Sequence, residues 1–311
     1  MQKDFGESCI KKGLWIFLYT SMAEFVELNQ GALSIKIALK GSELIDFSVS
    51  GEPLLWQPDG LFWNRTAPNL FPIVGRLMHD ELVWNGNRYP MSQHGFARDS
   101  QFNLIEQGTN FLVFELQSND VTRVQYPFNF SFKVKYQLLE DRVKITYSTT
   151  NLGTEMMAYS VGGHPGFLLN GPLDEHELWF DLQVNSQRWL IEDGYYNGKT
   201  VKLNCGKALE LNNDYFTSDA IVLRSPEFST ATLVHKSLGK LVMVDCSSWD
   251  AVGFWTKPGA PFFCIEPWWG WADSQQNFGD FATKEALHWL EPEEEEALFY
   301  EIIVPANRRI G

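Results

Sequence analysis

An all-β protein built from antiparallel sheets, packed as a sandwich or barrel, is the fold class that the sequence predicts. Three observations carry this expectation. The strongest hydrophobic patterns repeat every second residue, turn-forming residues separate several of them, and long amphipathic helical patterns are scarce. In chain order, Leu33–Ala38 is the first strand candidate. Glu81–Trp84 and Arg88–Met91 flank Asn85-Gly86-Asn87, and Asn-Gly is the strongest short hairpin signal. Phe111–Leu116 follows. Phe130–Leu138 (FSFKVKYQL) and Arg142–Tyr147 (RVKITY) alternate cleanly, with Glu140-Asp141 supplying turn chemistry between them. Ala231–Val234, Leu241–Val244, Val252–Thr256, Pro261–Ile265 and Leu298–Val304 complete the set. Thr283–Leu290 is the one short helix candidate. The glutamates Glu291 and Glu293–Glu296 read as a solvated turn before the last strand.

The chain has 311 residues and shows no internal repeat, no low-complexity block and no Pro/Gly/Ser linker. One large β domain over residues 24–311 is therefore expected, preceded by an extension at residues 1–23. The apolar run Leu14–Tyr19 in that extension is short for a signal peptide, and Asp4 and Glu7 stand before it. No stretch of 18 apolar residues suggests a membrane helix. A cytoplasmic protein is the resulting expectation. Twenty-five basic residues against 39 acidic ones give a net charge of −14, which disfavours nucleic acid and anionic membranes as partners. Cys9, Cys205, Cys246 and Cys264 lack CxxC spacing and read as reduced thiols. Twelve Trp and 23 Phe supply ample core, and rings that could line a sugar cleft.

Several chemistries lack local support. There is no GxGxxG or Walker loop, no GxSxG elbow and no HxH or HExxH pair. No metal site and no cofactor are expected. Acid–base chemistry on a β scaffold remains, and four segments could carry it. Asn69–Leu77 (NLFPIVGRL) sets Arg76 after a Pro/Gly-shaped turn, where its guanidinium could bind hydroxyls or a carboxylate. In Gln93–Asp99 (QHGFARD), His94 precedes a glycine that lets backbone approach a ligand. In Val161–Phe167 (VGGHPGF), glycines clear the space around His164 and Pro165 biases it to an extended conformation. An imidazole held there suits proton transfer. In Cys264–Trp271 (CIEPWWGW), Glu266 ends an apolar strand among Trp268, Trp269 and Trp271. Those indoles would desolvate the carboxylate, raise its pKa and offer a face for a sugar ring.

Taken together and in this order, FPIVGRL, HGFARD, GGHPGF and CIEPWWG resemble the aldose 1-epimerase (mutarotase) family, LacX-like subgroup, from about Glu24 to Val304. The resemblance implies a galactose mutarotase-like β-supersandwich of large antiparallel sheets. It implies a cofactor-free interconversion of the α and β anomers of a free hexose such as galactose or glucose. By the same resemblance Glu266 is the general base and His164 the general acid. Arg76, His94 and Asp219 would bind the sugar, with Asp214 the alternative to Asp219; from the residues themselves, Trp268, Trp269 or Trp271 could stack on its C–H face. Two other readings stay open: a hexose-6-phosphate epimerase, in which Arg76 and Arg98 clamp the phosphate, and a carbohydrate-binding protein without catalysis. A sugar is the expected partner, and the oligomeric state is not legible in the sequence.

Overall fold

In the computed structural model, residues 24–276 and 278–308 are described. The expected extension at 1–23, including Cys9, lies outside them. Fifteen strands form one antiparallel sheet. Its main path runs Asn69–Leu70, Val161–Gly163, Phe262–Trp269, Ala251–Trp255, Ile221–Arg224, His176–Glu192, Thr230–His235, Gly239–Asp245, Glu295–Ile303, Arg142–Asn151, Phe130–Leu138, Phe111–Gln117 and Asn103–Gln107. Gly166–Leu168 pairs with Phe262–Trp269, and Tyr195–Glu210 pairs with His176–Glu192. A four-stranded sheet comprises Phe25–Gln30, Leu33–Ala38, Leu44–Val49 and Glu52–Pro53. Two small two-stranded sheets are also present. The β class and the large antiparallel sheets expected from alternation are therefore observed.

The alternating segments fold as their pattern dictates. Phe130–Leu138 is a strand over the predicted residues, and from Phe132 onward buried and half-buried residues alternate. Arg142 starts its partner, which continues to Asn151, four residues past the predicted end. The Asn-Gly hairpin is tighter than the sequence suggested. Trp84 pairs with Asn87, so Asn85 and Gly86 alone make the turn, both at positive φ. Phe71, Phe130, Phe132, Tyr147 and Tyr159 meet in the main core, with Phe71 stacked on Phe132 at 4.3 Å.

Two local expectations are corrected. Thr283–Leu290 is not a helix. A 3₁₀ turn covers Phe281–Thr283, Ala286 adopts φ 56°, and His288–Leu290 pairs with Met157–Tyr159. The imidazole of His288 stacks on Trp269 at 3.8 Å, a contact that a helix over these residues would break. Secondly, the strand proposed for Pro261–Ile265 does not stop before Glu266; it runs over Phe262–Trp269 and passes through Pro267. A proline inside a sheet removes a ladder donor. Ile265 N–H bonds Pro165 O, so position 267, two residues on, faces the same neighbour. That neighbour is interrupted between Gly163 and Gly166, so the missing N–H falls where the ladder is already broken.

The long hairpin His176–Glu192/Tyr195–Glu210 had no sequence signal strong enough to predict it. Its outer half is exposed or half-buried on both faces, so clean alternation is absent. Asp193 and Gly194, both at positive φ, close it.

Candidate functional site

The site is built by register. Along Phe262–Trp269, alternate residues face opposite sides of the sheet. Phe263 and Ile265 enter the main core. Phe262, Cys264 and Trp268 belong to two smaller clusters on the other face, and Glu266 lies between them in the same alternation. On the neighbouring segment Gly162 pairs with Trp268 and Gly166 with Cys264. Continuing that register sets His164 directly opposite Glu266, where Cβ atoms lie about 5 Å apart. The side chains meet: His164 Nε2 is 3.1 Å from Glu266 Oε2.

Both groups are buried, Glu266 at 1% exposure and His164 at 8%. Glu266 Oε2 and His164 Nδ1 lack a well-formed hydrogen bond, so the 3.1 Å contact is a close approach out of hydrogen-bond alignment. Burial drives their protonation in opposite directions. Desolvation, aided by the nearby Asp219 charge, raises the Glu266 carboxyl well above the ordinary carboxylate range; the Trp268 indole offsets a small part. Desolvation, aided by Arg98 and Arg65, lowers His164 to about 3. Burial thus works against the charged form of both groups.

Trp268 needs the surrounding glycines. A Cβ on Gly162 would stand 2.8 Å from its ring, and one on Gly253, the other neighbour of Glu266, 2.7 Å. Only bare backbone on both sides lets the indole lie across the sheet beside the carboxylate.

His94 occupies the second corner. Its backbone sits at φ 65°, followed by Gly95 at φ 73°, where a Cβ would collide with Phe71 O at 2.1 Å. His94 Nδ1 accepts from Gly75 N–H at 3.1 Å, which places the ring proton on Nε2. Burial first, then Arg98, His164 and Arg65, hold its pKa well below normal, so His94 is a neutral donor. Its ring lies edge-on to His164, with centroids 5.6 Å apart.

These residues open onto a cavity of about 390 Å³. Glu266, His164, His94, Asp219, Trp268 and Arg98 all line it. Asp219 is half-buried, and its Oδ1 accepts from Ala220 N–H at 2.7 Å. Asp214, the alternative from sequence, is exposed and outside the lining. Trp271 lines the cavity, whereas Trp269 points elsewhere, bonding Ser248 O and stacking on His288. Arg76 also stands outside the lining. Its Nε and Nη2 grip Asp80 at 2.6 and 2.7 Å, and Nη1 reaches Asp193 O at the hairpin tip. The clamp of Arg76 with Arg98 is therefore not preassembled.

Trp63 and Trp255 escaped sequence reasoning. Their rings flank His164 at 4.9 and 5.6 Å. Trp255 had a usable signal: Val252 and Phe254 face the core, so Gly253 and Trp255 must face the cavity. Trp63 sits in an irregular loop with no periodicity to read. Glu43 was missed as well; its carboxylate accepts from Thr66 and Ala67 N–H and secures the end of that loop.

His164, Cys264 and Glu266 each offer one donor atom within 4.8 Å of the others, the one group of three potential metal ligands among the described residues.

Comparison with known proteins matches residues 24–295 to aldose 1-epimerase. The plasmid-encoded LacX protein of Lactococcus lactis subsp. lactis is 30% identical over 267 residues, covering 80% of this chain and 89% of LacX. The galactose mutarotase related enzyme of Lactobacillus acidophilus superposes with a TM-score of 0.86 at 28% identity, over 91% of this chain and 98% of that one. A galactose mutarotase-like protein from Lactobacillus casei gives 0.85 at 27% identity, over 90% and 99%. The chain belongs to the aldose 1-epimerase family and is an isomerase of the epimerase class.

Proposed function

We propose that this protein interconverts the α and β anomers of a free hexose, such as galactose or glucose, by acid–base opening and closing of the ring. The observation that carries the reading is the buried Glu266–His164 pair, 3.1 Å apart, facing a cavity walled by tryptophans. A volume of about 390 Å³ lies within the range of small-molecule sites.

In this reading the pair carries one exchangeable proton between carboxyl and imidazole. Sugar hydroxyls entering the cavity replace part of the lost solvation and favour the charged forms. Passing the carboxyl proton to His164 then makes Glu266 the base and His164 the acid. Glu266 takes the proton from the C1 hydroxyl while His164 protonates the ring oxygen, and the C1–O5 bond breaks. The open aldehyde rotates about C1–C2. Closure with both transfers reversed yields the other anomer, so neither group is consumed. His94 Nε2–H donates toward the ring oxygen. Asp219 orients hydroxyls, and Trp268 offers its face to the sugar's C–H groups. Arg76 binds at the rim.

Polarimetry on freshly dissolved α-D-galactose and α-D-glucose tests the reading. Glu266→Gln and His164→Asn should each slow catalysed anomerisation by about 10²- to 10⁴-fold with the fold retained. A purified variant that keeps the wild-type rate removes its residue from the mechanism.

Arg98 favours a second reading, an epimerase for hexose 6-phosphates. It lines the cavity, burial lowers its pKa to about 10, its Nη2 donates to Gln93 O, and its Nε has no hydrogen-bond partner. It remains cationic at neutral pH and could meet a phosphate. Rates on glucose and glucose 6-phosphate decide between the two, and a loss in Arg98→Ala confined to the phosphorylated sugar selects the second.

A further inference from the structure

No local motif in the chain suggests a metal site, yet the register assembles three donors of different chemistry. Cys264 and Glu266 are two residues apart on one face of the same strand, and His164 faces Glu266 from the neighbouring segment. Their donor atoms all lie within 4.8 Å of one another, and all three residues are buried. Zinc-class bonds of about 2.0–2.3 Å require donors roughly 3.3–3.8 Å apart in a tetrahedron, so small side-chain shifts suffice. Glu266 Oε2 is buried, has no hydrogen-bond partner and lies 3.1 Å from His164 Nε2. Charge also balances: a divalent cation held by a thiolate, a carboxylate and a neutral imidazole is a neutral buried unit.

We propose that Cys264, His164 and Glu266 form a capture site for one thiophilic, redox-inert divalent cation of the zinc class, and that its binding switches the cleft off. Binding displaces the proton of the Cys264 thiol and that of the Glu266 carboxyl to solvent, with no change of oxidation state. The fourth position is left to water or a sugar hydroxyl from the cavity. A bound ion occupies the lone pairs of both Glu266 and His164, so neither can exchange protons with a sugar. The inhibitory consequence rests on the proposed epimerase reading; the binding itself does not.

The full-length, reduced protein is titrated with Co²⁺ as a spectroscopic probe for the zinc class. One equivalent is expected to give a thiolate-to-cobalt charge-transfer band and the intense visible bands of tetrahedral cobalt. Cys264→Ala and Cys264→Ser, the latter retaining the side-chain volume, are expected to lose the charge-transfer band. Zn²⁺ is expected to inhibit wild-type anomerisation, and at least ~100-fold more Zn²⁺ to be required in either variant, beyond the usual effect of an outer-sphere change. Absence of the band in the wild type overturns the proposal, as does its persistence in both folded variants, which would assign it to another cysteine. A Cys264-dependent band without any effect of Zn²⁺ on sugar turnover keeps the site, overturns the switch and counts against Glu266 and His164 as the acid–base pair; a wild type that turns over no sugar without metal counts against the epimerase reading and leaves the site standing.

Discussion

The floor of the cavity and its outer wall are made by opposite means. The floor is Phe262–Trp269 against Val161–Leu168, with every floor residue from Phe262 to Trp268 buried. The wall is the tip of the long hairpin, which contributes Ile191 and Gly194 and is half-exposed throughout. On the floor, backbone register fixes which side chains meet, and a one-residue slip would turn Glu266 into the core. At the wall, contacts with other elements hold the hairpin in place. Arg76, oriented by Asp80, bonds Asp193 O, and Tyr196 exchanges backbone hydrogen bonds with the Asp273–Gln275 segment. On the proposed reading, the acid–base chemistry sits where the sheet supplies precise placement, and part of the substrate recognition sits where loops can vary.

The contrast breaks first on the floor. Beyond the catalytic substitutions above, Gly162→Ala should act at a distance from any sugar. Its Cβ would meet Trp268 at 2.8 Å and Pro267 O at 3.1 Å. A loss of about 1–3 kcal/mol in urea unfolding is expected, together with reduced turnover. Unchanged stability would mean that the indole has room to move.

The floor also predicts an unusual pH response. His164 titrates near 3 in the folded chain, below its ordinary 6.5. The unfolded chain therefore binds that proton first, and stability falls as pH drops from about 6.5 toward 3. Glu266 works in the other direction. Its folded pKa is raised, so its contribution is full below the ordinary 4.5 and is lost as pH rises through the raised value. His164→Asn should flatten the acid side of a Tm-against-pH curve and Glu266→Gln the alkaline side. In the wild type, kcat/KM should show no acid limb near 6.5; a limb there would place His164 in a solvated state.

Effects at the wall should be smaller and should fall on binding. Arg76→Ala is expected to raise KM about 10-fold with kcat nearly kept. Asp80→Ala separates two roles. If Arg76 touches the sugar, freeing it from Asp80 costs much less than removing it; if it only secures the hairpin, the two variants match. The smallest effect is expected from Asp214→Ala. This exposed position outside the lining should change turnover by less than about 2-fold, with stability within about 0.5 kcal/mol of wild type.

The legible part of this protein was the part with a short-range cause. Alternation in Phe130–Leu138 marked a strand because each side chain there has one buried and one outward choice. Glycines around His164 were readable because they clear space that an indole and a neighbouring strand need. The family motifs located Glu266, His164, His94, Asp219 and Arg98, all of which reach one cavity. The long hairpin was not legible, since its half-exposed strands impose no strict pattern. Neither was the loss of the Thr283–Leu290 helix, because the partner strand and the Trp269–His288 stack lie far away in sequence.

Sequence alone thus determined the β class, the candidate side chains that line the cavity and the glycines that leave space for neighbouring rings, all properties of a few neighbouring residues. Tertiary structure decided the rest. It chose which residues face one another across strands about 100 positions apart, and it tied Arg76 to Asp80 at the rim. It also brought Cys264 within reach of Glu266 and His164. The physical reason is that strand register and burial are long-range: they set distances, desolvation and protonation only once the whole sheet has formed.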